Sequence, residues 1–137
     1  MSITPKGLDH LVLRTADVAA LSDFYCRVLG CAVERNVESL GLTQLRAGAA
    51  LIDLVDVAGE IGRMGGAGPG DEGLNLDHFC LRIDPWDEAA MRAHLSAHGV
   101  EAGPTEQRYG AEGQGPSIYL KDPDGNTVEL KGPPSSA

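Results

Sequence analysis

The chain has 137 residues, 42% of them apolar and 23% charged, with a formal net charge of −9 at pH 7. A chain of this size builds one domain with its own core and needs no disulfide or structural metal to hold it. The acidic balance argues against nucleic acid or an anionic membrane surface, no apolar run reaches the ~18 residues of a membrane span, and the first residues lack a signal-peptide pattern. The expectation is a cytoplasmic protein whose partner is a small organic molecule. Cys26, Cys31 and Cys80 form no CxxC pair and leave one thiol over in any pairing, which suits reduced cysteines.

The first predicted element is LDHLVLR, residues 8–14, a strand with Leu8, His10, Val12 and Arg14 on one face and Asp9, Leu11 and Leu13 on the other. Asp17 then suits a helix N-cap, with Val18, Leu21, Tyr25, Val28 and Leu29 at helical spacing and Gly30 as the stop. Three strands are expected next, over 31–37, 42–47 and 50–57, with a turn at Gly48. Residues 58–75 carry seven glycines and no phosphate-binding GxxxxGK[ST] pattern, which predicts a flexible linker.

LDHFCLR, residues 76–82, repeats the first heptapeptide at five of seven positions, and the order of elements repeats with it. Asp84 and Pro85 signal a helix start, Met91 and Leu95 lie on its apolar face, and Gly99 stops it. After VEAGPTE come the strand SIYLK (117–121), the turn DPDGN and the strand TVELK (127–131). The fold class expected is therefore α+β: two tandem βαβββ modules, about 7–57 and 76–131, within a single domain over 1–137.

Each module sets one histidine in its first strand, His10 or His78, and one acid in its last, Asp53 or Glu129. A histidine in an apolar strand is ordinarily a hydrogen-bonded core residue, and duplication alone explains two of them. The acids carry the argument further: Glu129 stands between Val128 and Leu130, where a charge requires a partner. Two imidazoles and two carboxylates without a thiolate form a ligand set for a divalent ion such as Ni, Co, Mn, Fe or Zn. Asp9 and Asp77 are read as strand-start hydrogen-bonders. His94 and His98, at i and i+4, have metal-binding spacing but lack the Glu of HExxH and lie on a solvated helix end.

With LDHLVLR, FYCRVLG and YLKDPDGNTVEL in view, the chain resembles the vicinal oxygen chelate superfamily, the glyoxalase, bleomycin-resistance and dioxygenase group, over nearly its whole length. The resemblance implies paired βαβββ modules with a metal in the cup that two modules form, in many short members between the chains of a homodimer. By position it implies His10, His78 and Glu129 as metal ligands, with Asp53 at the place of the fourth ligand of glyoxalase I. Arg14 matches an arginine that helps bind the glutathione carboxylate there, whereas Val57 stands where that enzyme has an asparagine. The stretch RYGAEGQGPSIYLKDPDGN is closer to glyoxalase-domain proteins of unassigned activity.

The function implied is a metal-dependent lyase or isomerase of the lactoylglutathione lyase type, acting on a small oxygenated substrate that is anionic or thiol-conjugated. Glu129 is the expected catalytic base, Asp53 the second, and Arg14 the substrate-binding residue. The alternatives are a bleomycin-binding protein, a fosfomycin thiol transferase, which shares the His, His, Glu set and DPDG turn, and an extradiol ring-cleaving dioxygenase. Arg82 is expected to reach solvent or pair with an acid, and Arg108, Tyr109 and Tyr119 lie where a ligand could touch them.

Overall fold

A computed structural model describes residues 2–135 and divides the chain into two compact units, Met1–Asn75 and Leu76–Ala137. In the first unit, β1 (His10–Thr15) is followed by α1 (Val18–Asp23), which runs into a π-helical turn over Phe24–Val28. The chain continues through β2 (Ala32–Val37), β3 (Leu42–Ala47), β4 (Ala50–Asp56) and the short α2 (Glu60–Arg63). The second unit contains β5 (Phe79–Arg82), α3 (Glu88–Ala97), β6 (Glu106–Gly110), β7 (Gly113–Lys121) and β8 (Thr127–Lys131). Both units are βαβββ modules, and the fold is α+β.

The sheets run β1-β4-β3-β2 and β5-β8-β7-β6, with the first strand of each module parallel to its last and the other neighbours antiparallel. A parallel pair needs a crossover, which the helix and two intervening strands supply. The last strand thus lies between two neighbours and is covered on both faces. Ile52, Asp53, Leu54 and Val55 are all buried, as are Val128, Glu129, Leu130 and Lys131. Leu13, Leu21, Tyr25, Leu45 and Leu54 make the first core, while Ile118, Leu120, Val128, Leu130 and Leu95 make the second.

Helix starts follow from caps. Asp17 accepts from the Ala20 N–H at 3.0 Å, as its sequence context predicts, and each such cap contributes about 1 kcal/mol. The second helix begins later than expected: Asp87, not Asp84 and Pro85, caps it by accepting from the Ala90 N–H at 3.1 Å. Both helices are followed by a glycine at positive φ, Gly30 at 79° and Gly99 at 71°.

Residues 58–75 are not the open linker that their glycine content suggests. The segment belongs to the first unit, contains α2 and wraps the end of β1. Arg14 donates from Nη1 to the Ala67 carbonyl at 3.0 Å and from Nη2 to those of Gly62 and Gly66 at 2.9 and 2.7 Å. Asn75 pairs with the backbone of the same residue, accepting from its N–H and donating to its C=O. The glycines permit close approach: a Cβ on Gly65 would lie 2.7 Å from Arg14 Cζ, and one on Gly62 1.9 Å from the Asp56 carbonyl oxygen.

The DPDGN turn orients β8. The buried Asp122 carboxylate accepts from the backbone N–H of Asp124 and Asn126 at 2.9 Å each and from Asn126 Nδ2 at 2.8 Å, while Gly125 takes φ 85°. Asp122→Ala is expected to lower unfolding stability by about 2–3 kcal/mol, because it orphans buried donors. Urea denaturation checks this; an unchanged midpoint would show that the β7–β8 connection holds without its carboxylate.

Candidate metal half-sites

In each module the histidine and acid come to the same sheet face by the same register. Val12 pairs with Asp53 and Cys80 with Glu129, so each acid lies opposite the residue two places after its histidine. Side chains alternate along a strand, which sets His10 and Asp53 on one face of the first sheet, while His78 immediately precedes β5 and its ring reaches Glu129. In the second unit His78 Nε2 stands 3.4 Å from Glu129 Oε1. His10 keeps 47% of its side-chain surface exposed and His78 37%, whereas Asp53 and Glu129 are both only 6% exposed as residues.

Neighbouring groups fix both members of each pair. His10 Nδ1 lies 2.7 Å from Asp9 Oδ1 and His78 Nδ1 lies 2.5 Å from Asp77 Oδ1, so in both copies the preceding aspartate holds one ring nitrogen. The Nε2 lone pair is thereby left for another partner, the arrangement commonly found behind metal-bound histidines. These aspartates were expected only to bond the strand start. Alternation would send them away from the histidines, but Asp9 and Asp77 lie outside β1 and β5, where the strand geometry no longer separates neighbours.

The acids differ in their support. Gln44 Nε2 donates to both Asp53 oxygens, at 3.1 and 3.2 Å, from the paired position on β3. Ser117 Oγ donates to Glu129 Oε2 at 2.8 Å and leaves Oε1 facing His78. Arg108 in turn donates to Ser117 Oγ at 2.9 Å and lies over the Tyr119 ring at 4.3 Å, while that ring meets His78 edge-on at 5.5 Å. Arg108 and Tyr119 therefore back the His78 and Glu129 pair, a role that their sequence positions alone do not disclose.

The electrostatics suit a cation. Asp9 first and Asp53 next hold the His10 imidazole above its usual range, since both negative groups favour positive charge on it. Removal from water, then the Glu129 carboxylate, push the Cys80 thiol up to about 12 and raise the Tyr119 phenol. Both effects disfavour the Cys80 thiolate at neutral pH. Nitrogen and carboxylate donors with no thiolate, backed by carboxylates behind the imidazoles, fit a first-row divalent ion. Among the described residues no three of His, Cys, Asp and Glu stand together as one such site. Each unit by itself holds one histidine and one carboxylate of the candidate set.

Arg14, the residue expected to bind substrate, has its two terminal nitrogens on the carbonyls of Gly62, Gly66 and Ala67. Arg82 pairs with an acid, donating from Nε to Glu112 Oε1 at 2.7 Å. His94 on α3 and His98 at its C-cap lie with ring centroids 4.6 Å apart and planes tilted by 58°. A cavity of about 320 Å³ opens within the second unit, lined by His78, Glu129, Cys80, Arg82, Lys131 and Tyr109 among others. No described helix is long and apolar enough to cross a membrane.

Comparison with known proteins agrees with this architecture. The chain is 34% identical over 131 residues to the glyoxalase domain-containing protein RDO1 of Mycosarcoma maydis, covering 93% of this chain and 69% of that protein. It is 30% identical over 127 residues to the virulence protein STM3117 of Salmonella typhimurium, covering 90% and 81%. Among solved structures, an integron cassette protein of V. cholerae superposes with a TM-score of 0.79 at 27% identity, over 96% of this chain and 98% of that one. The fold is also that of lactoylglutathione lyase from Agrobacterium tumefaciens (TM-score 0.65, 24% identity, 93% and 94% covered) and of TnmS3, an antibiotic binding protein from Streptomyces sp. CB03234 (0.70, 22%, 96% and 99%). Residues 7–130 match one family throughout, and the chain belongs to the Glyoxalase/Bleomycin resistance protein/Dioxygenase superfamily.

Proposed function

We propose that the protein is a cytoplasmic, metal-dependent lyase or isomerase of the glyoxalase kind, acting on a small oxygenated molecule. The observation that carries this reading is the duplicated pair: a histidine with one nitrogen backed by aspartate, beside a buried carboxylate, once in each module. Each acid is buried, and a buried carboxylate favours a cation beside it.

His10, Asp53, His78 and Glu129 would hold the ion, with the modules paired within a chain or across a homodimer. Bound there, a divalent ion supplies charge stabilisation to two neighbouring oxygens of a substrate. The chain's own residues then handle the proton. Ser117 restrains Glu129 Oε2 while Oε1 faces His78 at the cavity, so Oε1 is the oxygen that would take a proton from a carbon beside a carbonyl. Asp53, held at both oxygens by Gln44, is less free to move and is better suited to a fixed ligand than to a base.

Elemental analysis of protein expressed with Ni, Co, Mn, Fe or Zn tests the reading directly. Near-stoichiometric metal is expected in the natural protein, falling at least about tenfold in His78→Ala, in line with the loss of one of few ligands. Metal absent under every supplementation would overturn it in favour of the sequestering role.

A further inference from the structure

Lys131 is the feature of the second unit that the metal reading leaves unexplained. It ends β8, is only 6% exposed, and shares the sheet face of Glu129 two residues earlier. Its ammonium donates to the Gly113 carbonyl at 3.0 Å, and no carboxylate among the described residues forms an ion pair with it. A buried ammonium with a single carbonyl partner has donors left over, so it can take a further acceptor.

The site around it is built. A Cβ on Gly110 would lie 2.8 Å from Lys131 Cε and one on Gly115 2.9 Å from Nζ, so these two glycines clear the channel in which the side chain lies. Gly113 supplies the carbonyl that holds its tip. Lys131 lines the same 320 Å³ cavity as His78 and Glu129, together with Gly110, which stands beside its outer methylenes. The other cation on that wall, Arg82, is already neutralised by Glu112 at 2.7 Å. The first module offers a control: the strand partner of Arg14 is Val55, where the partner of Arg82 is Lys131. The charge was therefore placed in one copy and not the other.

We infer that Lys131 is the anion-recognising residue of this cavity, and that the molecule bound beside His78 and Glu129 carries a carboxylate or phosphonate group. As a statement about substrate this rests on the metal-dependent reading, but anion binding at Lys131 does not. The role expected of Arg14 thus passes to a lysine on the other module. A lysine ammonium held in a partly desolvated channel binds an oxyanion as a point charge, and the loss of one such contact weakens binding about tenfold or more.

The test is a 1H–15N titration of EDTA-treated protein with acetate and methylphosphonate, with acetamide as the neutral control. Saturable shifts are expected at the amides of Gly113, Gly115 and Lys131 with the anions alone. They should weaken at least about tenfold in Lys131→Met and persist in Lys131→Arg. Should Lys131→Met not fold, acetic anhydride labelling of the natural protein replaces it, with methylphosphonate expected to protect Lys131 while the exposed Lys6 and Lys121 label unchanged. No saturable shift at these amides, equal binding by Lys131→Met, or no protection would each overturn the inference. Metal content of separate, untreated samples reports on the other reading independently.

Discussion

Glu129→Gln is expected to leave the chain folded and to lower metal retention by about two orders of magnitude or more. The glutamine carbonyl still accepts from Ser117 Oγ, so the buried hydroxyl keeps its partner and the sheet keeps its packing. What disappears is the charge. Loss of a group that merely supports a metal ligand typically costs 10–100-fold in affinity, and loss of a carboxylate ligand exceeds that. Removing the base would also slow any reaction that draws a proton from carbon by about 10²–10⁴-fold.

The same variant has a readout that needs neither metal nor substrate. Glu129 is the second cause, after removal from water, of the rise of the Cys80 thiol to about 12. Without that negative charge the thiolate becomes easier to form, so iodoacetamide should alkylate Cys80 faster in Glu129→Gln than in the natural protein at the same pH. Mass spectrometry of timed samples follows this. An unchanged alkylation rate would show that the carboxylate exerts no field at Cys80, and full metal retention with an undiminished rate of turnover would remove Glu129 from the proposed ligand set.

Gly62→Ala is expected to destabilise the first unit by about 3 kcal/mol, because the new methyl carbon would meet the Asp56 carbonyl oxygen at 1.9 Å and the backbone must yield. The strain falls on α2, whose carbonyl at Gly62 receives Arg14. Amide exchange should therefore accelerate through residues 60–67 and at Arg14 before it does in the second unit. Urea unfolding gives the magnitude. A stability loss under 0.5 kcal/mol would mean that the segment can move aside freely, and that Arg14 does not depend on it.

The modules were legible in the sequence because their signals agree at several levels. The alternation in LDHLVLR, the Asp17 cap and the buried runs LIDLV and TVEL each have one physical reading. The stretch EQRYG did not: it is polar, lies mostly beyond the expected VEAGPTE, and becomes β6 only by pairing with a β7 that starts four residues earlier than SIYLK suggests. Residues 58–75 were misleading for a subtler reason. Glycine raises the freedom of an unfolded segment and also permits close packing in a folded one, and composition does not distinguish these. Here Gly62 and Gly65 serve the packing.

The candidate site was legible in its acids and histidines, since each is a polar residue where an apolar one was due. Its supporting groups were not. Asp9 and Asp77 act just outside their strands, where a periodicity argument stops applying, and Lys131 resembled an ordinary charged strand end. Its burial comes from Gly110, Gly113 and Gly115 on the neighbouring hairpin, a relation between distant positions that only the paired register of β6, β7 and β8 reveals.

The parallel pairing of first and last strands has a further consequence for how such a protein can change. β5 and β8 lie side by side and bring His78 against Glu129, while Arg108 on β6 and Ser117 on β7 brace the acid, so the chain between them can change length without disturbing the pair only where it leaves those two positions in place. The tip of the β6–β7 hairpin, which walls the cavity from Tyr109 to Glu112, lies in that permissive interval. Editing that tip would reshape the cavity wall while leaving the His78 and Glu129 pair untouched, so the lining of the cavity should drift faster than the proposed half-site.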